Sequence, residues 1–305
     1  MKWEKRGLIY CPDGSSTWAK THAMLPTPML LNSDTLRIYV AFLDADGVGR
    51  IGFVDIDPTD PSHILKVSEK PVLDIGAPGT FDDNGVVPSC VVKLDRLVYL
   101  YYCGFQLGVK ARYYIFAGLA RSDDGGNSFK RNSQVPILER TNEDLFFRTA
   151  PFVSKEDDKW RMWYIGGGMW TQVADKSVPV YRMKYLESSD GIQWNNQARV
   201  CLDFDSSDEH GFGRPFILRD GARYKMFYSV RKRSLRGYRL GYAESTDGVN
   251  WIRKDREVGA DVSLNGWDST MVCYASLFNT DNESYLFYNG NDFGRTGFGY
   301  ALLRE

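Results

Sequence analysis

Gly213-Arg214-Pro215-Phe216-Ile217, followed by Arg223-Tyr224-Lys225-Met226-Phe227-Tyr228-Ser229, is one copy of a unit that this 305-residue chain repeats almost end to end. A proline or its stand-in falls at Pro26, Pro88, Pro151, Pro215 and Ala275. A tyrosine follows thirteen or fourteen residues later, at Tyr39, Tyr102, Tyr164, Tyr228 and Tyr288, so successive tyrosines are 63, 62, 64 and 60 residues apart. Each tyrosine closes a short run of aromatic and branched residues, such as Val98–Tyr102 or Trp160–Tyr164, which is strand chemistry. A fixed period of this size implies an array or a propeller.

The rest of the unit favours the propeller. A second strand recurs after the tyrosine, at Gly52-Phe53-Val54, Gly118-Leu119-Ala120, Lys184-Tyr185-Leu186, Gly241-Tyr242-Ala243 and Gly299-Tyr300-Ala301. Two units then carry Ser188-Ser189-Asp190-Gly191-Ile192-Gln193-Trp194 and Ser245-Thr246-Asp247-Gly248-Val249-Asn250-Trp251, with a looser copy from Ser122 to Phe129. Asp-Gly supplies the positive φ of a tight turn, and the aromatic residue opens a fourth, outer strand. Four antiparallel strands per unit is the blade of a propeller, so the expected fold is all-β, a five-bladed β-propeller forming a single domain over residues 1–305. The last unit breaks off at Leu302-Leu303-Arg304-Glu305, where its outer strand should begin. Met1-Lys2-Trp3-Glu4-Lys5-Arg6 resembles Trp251-Ile252-Arg253-Lys254, so the N-terminal strand is expected to complete the last blade and remove an open edge.

Composition narrows the function. The formal net charge is -1, with Lys+Arg 38 against Asp+Glu 39, which leaves no basic excess to neutralise a phosphate backbone and argues against nucleic acid. No apolar run is long enough for a membrane span, and no hydrophobic segment follows the N-terminus as an export signal would require, so a cytoplasmic location is expected. Cys11, Cys90, Cys103, Cys201 and Cys273 are odd in number and lack paired spacing, and read as reduced thiols. No cofactor is expected, and no ligand cluster calls for a metal. The acidic stretch Asp203, Asp205, Asp208, Glu209 lacks the glycine and spacing of a calcium loop and reads as a solvated loop.

In a propeller the inner strands line a central shaft, so chemistry belongs just before each proline and just after each tyrosine. Before the prolines stand His22, then Asp82-Asp83-Asn84, Arg148, Glu209-His210 with Arg214, and Asp268; after the tyrosines come Asp44, Asp46, Gln106, Trp170, Arg231 and Asn289-Gly290-Asn291-Asp292. Polar groups at equivalent positions of all units would converge on one axis, where desolvating them without a ligand is costly. Each also has a structural reading. The histidines could be hydrogen-bonded core groups, the aspartates turn caps, and the arginines bridges between blades. The Ser-x-Asp-Gly-x-x-Trp turns lie on the outer rim and are structural.

These residues resemble a family. The repeated aromatic hairpins, Ala243-Glu244-Ser245-Thr246-Asp247-Gly248-Val249-Asn250-Trp251, and the Gly213–Ser229 copy are similar to the five-bladed propeller glycosidases, which include arabinanases, β-xylosidases, invertases, levansucrases and mannoside phosphorylases. Trp18–Ala23 and Tyr288–Gly294 are similar to glycosidase-like members associated with surface-polysaccharide synthesis. The resemblance implies a carbohydrate-active enzyme acting on a glycosidic bond at the mouth of the shaft, with a saccharide or sugar phosphate as the small-molecule partner. Furanosidase-type members carry an aspartate directly before the first proline, where this chain has Leu25; Val87 and Ala150 stand at the next two such positions. That triad therefore does not carry over. Inverting hydrolysis needs two carboxyl groups roughly 6.5–9.5 Å apart, and Asp83 with Asp268 is the candidate catalytic pair. His22, Asp82, Asn84, Arg148, His210, Arg214, Arg231, Asn291 and Asp292 are the candidate substrate-binding residues. The arginines with His210 would also suit phosphate, a sugar acid or a sugar diphosphate, as in an inverting phosphorylase with Asp83 as its single acid. A non-catalytic glycan or sugar-phosphate binding module, and a sugar-transfer step in polysaccharide assembly, are the alternatives.

Overall fold

The computed structural model describes residues 1–304 and is all-β, its one α-helical turn lying at Asn291–Gly294. The strands group into antiparallel meanders that follow the sequence repeat. Unit one holds β2 (Thr21–Asn32), β3 (Thr35–Leu43), β4 (Gly49–Ile56) and β5 (Ile64–Val67). Unit two holds β6 (Val86–Lys93), β7 (Val98–Leu107), β8 (Tyr113–Ser122) and β9 (Lys130–Arg131), and unit three β10 (Phe147–Glu156), β11 (Lys159–Val173), β12 (Lys176–Ser188) and β13 (Arg199–Leu202). Unit four comprises β14 (Glu209–Asp220), β15 (Arg223–Lys232), β16 (Tyr238–Ser245) and β17 (Ile252–Arg253). Unit five comprises β18 (Cys273–Asn279), β19 (Ser284–Asn289) and β20 (Phe298–Arg304), and its fourth strand is β1 (Lys2–Tyr10), with Trp3 opposite Leu303. The N-terminal segment pairs where its likeness to Trp251–Lys254 predicts.

The first strands of the units pack against one another in order: β2 on β6, β6 on β10, β10 on β14, β14 on β18, and β18 back on β2. Short parallel pairings at Phe147 with Ile115 and at Tyr181 with Gly211 tie neighbouring units together.

Every one of these inner strands slips register at the repeat proline or its alanine stand-in. The breaks fall between Met24 and Thr27, Pro88 and Cys90, Thr149 and Phe152, Gly213 and Phe216, and Cys273 and Ser276. Proline has no N–H to give the ladder, so a bulge is where it can sit inside a sheet. At the position just before, Leu25, Ala150 and Tyr274 adopt φ of 55°, 51° and 57°, a left-handed conformation that side chains with a Cβ rarely take.

The repeat tyrosines are all buried and their rings lie across the sheet. The residue opposite Tyr102 is Gly118 and that opposite Tyr228 is Gly241. A Cβ at either glycine would come within 2.3 Å or 2.4 Å of the ring, so these positions have no room for a side chain. In unit three Lys184 stands there instead and turns its ammonium toward Asp144 at 2.8 Å.

Candidate functional site

Because the inner strands follow one another around an axis, the positions preceding the repeat proline meet. Leu25, Val87, Ala150, Arg214 and Tyr274, one from each unit, all line a single cavity of about 600 Å³. The bulge turns each of these residues inward, which gives the left-handed backbone of Leu25, Ala150 and Tyr274 a use. Residues late in the second strands and early in the third complete the wall, among them Phe105, Ile165, Arg231, Ile115, Tyr181 and Tyr238.

The charge in this cavity has one sign. Its ionisable lining consists of Arg112, Arg214, Arg231 and His22 with tyrosines and a buried cysteine; among the described residues no aspartate or glutamate lines it. Arg214 is 1 % exposed and has no carboxylate partner. It donates instead to the hydroxyl of Thr27 at 2.9 Å and to the carbonyls of Pro26, Tyr274 and Ala275 at 3.0, 2.7 and 3.1 Å, while its Nε–H has no acceptor. Burial pulls its pKa down to about 10, which still leaves it charged at neutral pH. Arg214 also lines a much smaller void on its other side, of about 30 Å³, and therefore forms the floor between the two. Arg231 stands over the rings of Tyr238 and Phe293, at 5.2 and 5.3 Å from their centroids. Among the described residues it makes no ion pair; the Tyr181 side chain is its polar neighbour, and both line the cavity. A fully buried arginine without a carboxylate is an expensive arrangement unless something anionic shares the space.

His22 lines the same cavity with φ of 61°, its Nδ1 2.9 Å from the Thr21 hydroxyl. Burial, and after it the charge of Arg295, holds its pKa below the ordinary histidine value, so it is neutral at pH 7. Tyr181 and Tyr238 share a short hydroxyl contact beside Arg231, and burial raises Tyr238 and Tyr274 far enough to keep both protonated. These tyrosines, with Thr149, whose buried hydroxyl has no partner, are cavity groups that the sequence reading passed over. Tyr274 was legible by alignment of the repeats, since it holds in unit five the place that Arg214 holds in unit four.

Several expected site residues lie elsewhere. The pair Asp83 and Asp268 does not line the cavity. Asp268 is 2 % exposed and accepts from Lys5 at 2.6 Å and from the Tyr288 hydroxyl at 3.0 Å. Asp82 is its counterpart in unit two, accepting from the Tyr102 hydroxyl, Arg131 and Thr80 at 2.9, 2.7 and 2.9 Å. Asp144 does the same for Tyr164 in unit three, joined by Lys184. In unit four Tyr228 donates to Asp255, and Arg253 holds Asp255 together with Glu209. Lys5, Arg131 and Arg253 sit at matching places on the outer strands, opposite Ala301, Ala120 and Ala243. An acid, a tyrosine and a base thus pin each of these sheets from within, away from the axis. Asp83 accepts from the Gly79 amide at 2.8 Å and closes a surface turn.

Arg148 is a further correction. It is completely buried, but it reaches outward to the Glu139 carbonyl at 2.7 Å, the Asn196 side chain at 2.8 Å and the Tyr164 hydroxyl at 3.3 Å. His210 faces the Pro179 carbonyl at 3.3 Å and does not line the cavity; burial lowers its pKa. Asn291 ties the loop below it by accepting from Thr270 and Met271 amides, Asp292 is exposed, and Asn84 contributes its backbone N–H to Phe105. Asp205, Glu209 and Asp255 come within 4.8 Å of one another, and the cation they hold is the Arg253 guanidinium. All five cysteines are free, and no helix is long and apolar enough to cross a membrane.

The architecture is shared with solved carbohydrate-active proteins. A complex of BT0996 with RGII superposes with a TM-score of 0.74 at 17% identity, covering 98% of this protein and 90% of that one. A mannoside phosphorylase-family (GH130) structure superposes at 0.70 with 15% identity over 99% and 93%. A thermostable family-43 glycoside hydrolase gives 0.68 with 14% identity over 94% and 90%. The fold is the one these solved structures share, as the sequence resemblance implies. No protein-family model matches the sequence. Within the fold the protein belongs to the family of the Mycobacterium tuberculosis uncharacterized protein Rv1502, to which it is 35% identical over the whole length of both; MT1551 of a second strain matches equally.

Proposed function

We propose that the five units are blades of one closed propeller domain and that its axial cavity binds an anionic saccharide, a sugar phosphate or a sugar acid. One observation carries the reading: Arg214 and Arg231 present two positive charges to a cavity with no carboxylate among its lining residues. Guanidinium groups are suited to phosphate and carboxylate, and in a space screened from water their attraction for an anion is strong. The cyclic packing of the inner strands supports the closure. Five free cysteines support a reducing, cytoplasmic setting.

The test is a thermal-shift panel of nucleotide sugars, sugar phosphates and neutral aryl glycosides, since a ligand of the folded state raises the melting temperature by mass action. The anionic members are expected to stabilise the protein and to lose that effect in Arg231→Gln. Equal shifts from neutral glycosides, untouched by Arg231→Gln, would contradict the proposal.

The likeness of fold to glycoside hydrolases and a mannoside phosphorylase family favours a second reading, in which the bound saccharide is cleaved. The cavity offers no carboxylate pair for inverting hydrolysis. Phosphorolysis asks for less: a phosphate oxygen attacks the anomeric carbon, the glycosidic C–O bond breaks, and one acid protonates the leaving oxygen. Arg231 and Arg214 would hold the phosphate, but Asp83, the acid expected from the sequence, closes a surface turn outside the cavity, so the proton would have to come from another group. Under this reading a glycoside turns over only with phosphate present. Turnover that does not depend on phosphate would contradict it.

A further inference from the structure

The cavity is divided by chemistry as well as by unit. Units one to three supply a largely apolar wall, which includes Leu43, Val87, Phe105, Ile115, Phe147 and Ile165, with the exposed Arg112 and the rings of Tyr113 and Tyr181 among its polar members. Units four and five supply Arg214, Arg231, Tyr238 and Tyr274, and His22, at the start of β2 where β18 packs on it, extends that face. Since the inner strands succeed one another around the axis, the two faces look at each other across the cavity. A simple sugar phosphate would satisfy only one of them. Its hydroxyl groups would meet mostly aliphatic and aromatic carbon on the other side, where the unpartnered Thr149 hydroxyl, Arg112, Tyr113 and Tyr181 are the polar groups. Two guanidinium charges on the opposite face match the double charge of a phosphate monoester better than the single charge of a sugar acid.

Resting on the reading that the cavity takes an anionic ligand, we infer that this ligand is an amphipathic organic phosphate: a phosphate monoester set against Arg231 and Arg214 whose esterified group turns an alkyl, acyl or aryl surface to the wall of Val87, Phe105, Ile115 and Phe147. A saccharide fits this description when it carries such a substituent. The apolar wall then selects the ester, because burying carbon there is favourable and burying hydroxyl groups is not.

Isothermal titration with inorganic phosphate, glucose 1-phosphate, phenyl phosphate and phenyl glucoside separates the two levels. Phenyl phosphate is expected to bind at least about tenfold more tightly than inorganic phosphate, which is about 1.4 kcal/mol, and more tightly than glucose 1-phosphate. Phenyl glucoside is expected to bind far more weakly than phenyl phosphate. In Ile115→Asn the ratio of phenyl phosphate to inorganic phosphate affinity should collapse toward one; should that variant not fold, the wild-type series decides alone. If the phosphates bind in an Arg231-dependent way but the phenyl group adds nothing, or glucose 1-phosphate outranks phenyl phosphate, the apolar-wall inference is overturned while the anion site stands. If Arg231→Gln leaves every phosphate affinity unchanged, the anion site itself fails, and with it the inference.

Discussion

Arg148 and Arg214 show how one residue type at two nearby repeat positions, three residues and one residue before the proline, takes two fates. Both are buried and both stand close before the repeat proline, but Asp144 lies four residues before Arg148 and draws it outward. Nothing comparable precedes Arg214, which is left to span backbone carbonyls at the floor of the cavity. The acids follow a similar rule. Asp82, Asp144 and Asp268 each stand twenty residues before the tyrosine they serve, a spacing that could have separated them from ligand groups in the sequence. Removing such an acid strands a partly buried base and a buried hydroxyl. Asp82→Ala is therefore expected to lower stability by about 3 kcal/mol, the usual cost of breaking a buried pair, read by urea denaturation. Asp268→Ala should act the same way, with Lys5 left unpaired. An unchanged unfolding midpoint in either variant would mean that the pins carry no load.

The outer turns illustrate what an element can reveal ahead of its tertiary setting. Ser122–Asp124, Ser188–Asp190 and Ser245–Asp247 each fold the serine hydroxyl and downstream amides onto the aspartate. Slight burial works against the Asp124 charge, but the Ser122 and Ser128 hydroxyls and the amides of Ser128 and Asn127 outweigh it and bring its pKa to about 2. The amide of Gln193 leads the same effect on Asp190, and that of Asn250 on Asp247. A carboxylate of depressed pKa contributes stability that is present above its unfolded value of about 3.9 and lost as pH falls through the folded one. Unfolding free energy is thus expected to decline from about pH 4 to pH 2, and Asp124→Asn should flatten that decline; an equal slope in the variant would assign the acid sensitivity to other groups. These turns were legible because Asp-Gly chemistry is local. The inner-strand bulges were not: proline marked where they fall, but the left-handed backbone of Leu25, Ala150 and Tyr274, which turns them to the cavity, depends on packing with the neighbouring units.

At the scale of the molecule, the repeat in the sequence carried the strand order, the four-strand units and the pairing of β1 with β20, because a periodic pattern of aromatic residues and turns survives without any knowledge of contacts. The composition of the cavity was only half legible. Arg214, Arg231 and His22 were found from their places beside the repeat prolines and tyrosines, whereas Asp83 and Asp268 share those neighbourhoods in sequence and are turned elsewhere by local partners. Trp3 tests the closure of the last sheet. It is 6% exposed and packs edge-on against Phe227 of the neighbouring unit, so Trp3→Ala should cost about 3–5 kcal/mol. A loss under about 1 kcal/mol, small beside the usual cost of emptying a core site, would indicate that β1 is dispensable for the fold.

The most direct measurement of the central claim is a crystal structure of the protein soaked with phosphate. Density for the anion between the Arg231 guanidinium and the Arg214 floor, absent in Arg231→Gln crystals treated alike, is the expected result. An axial cavity free of anion at saturating phosphate, with phosphate found only on the outer surface, would contradict it.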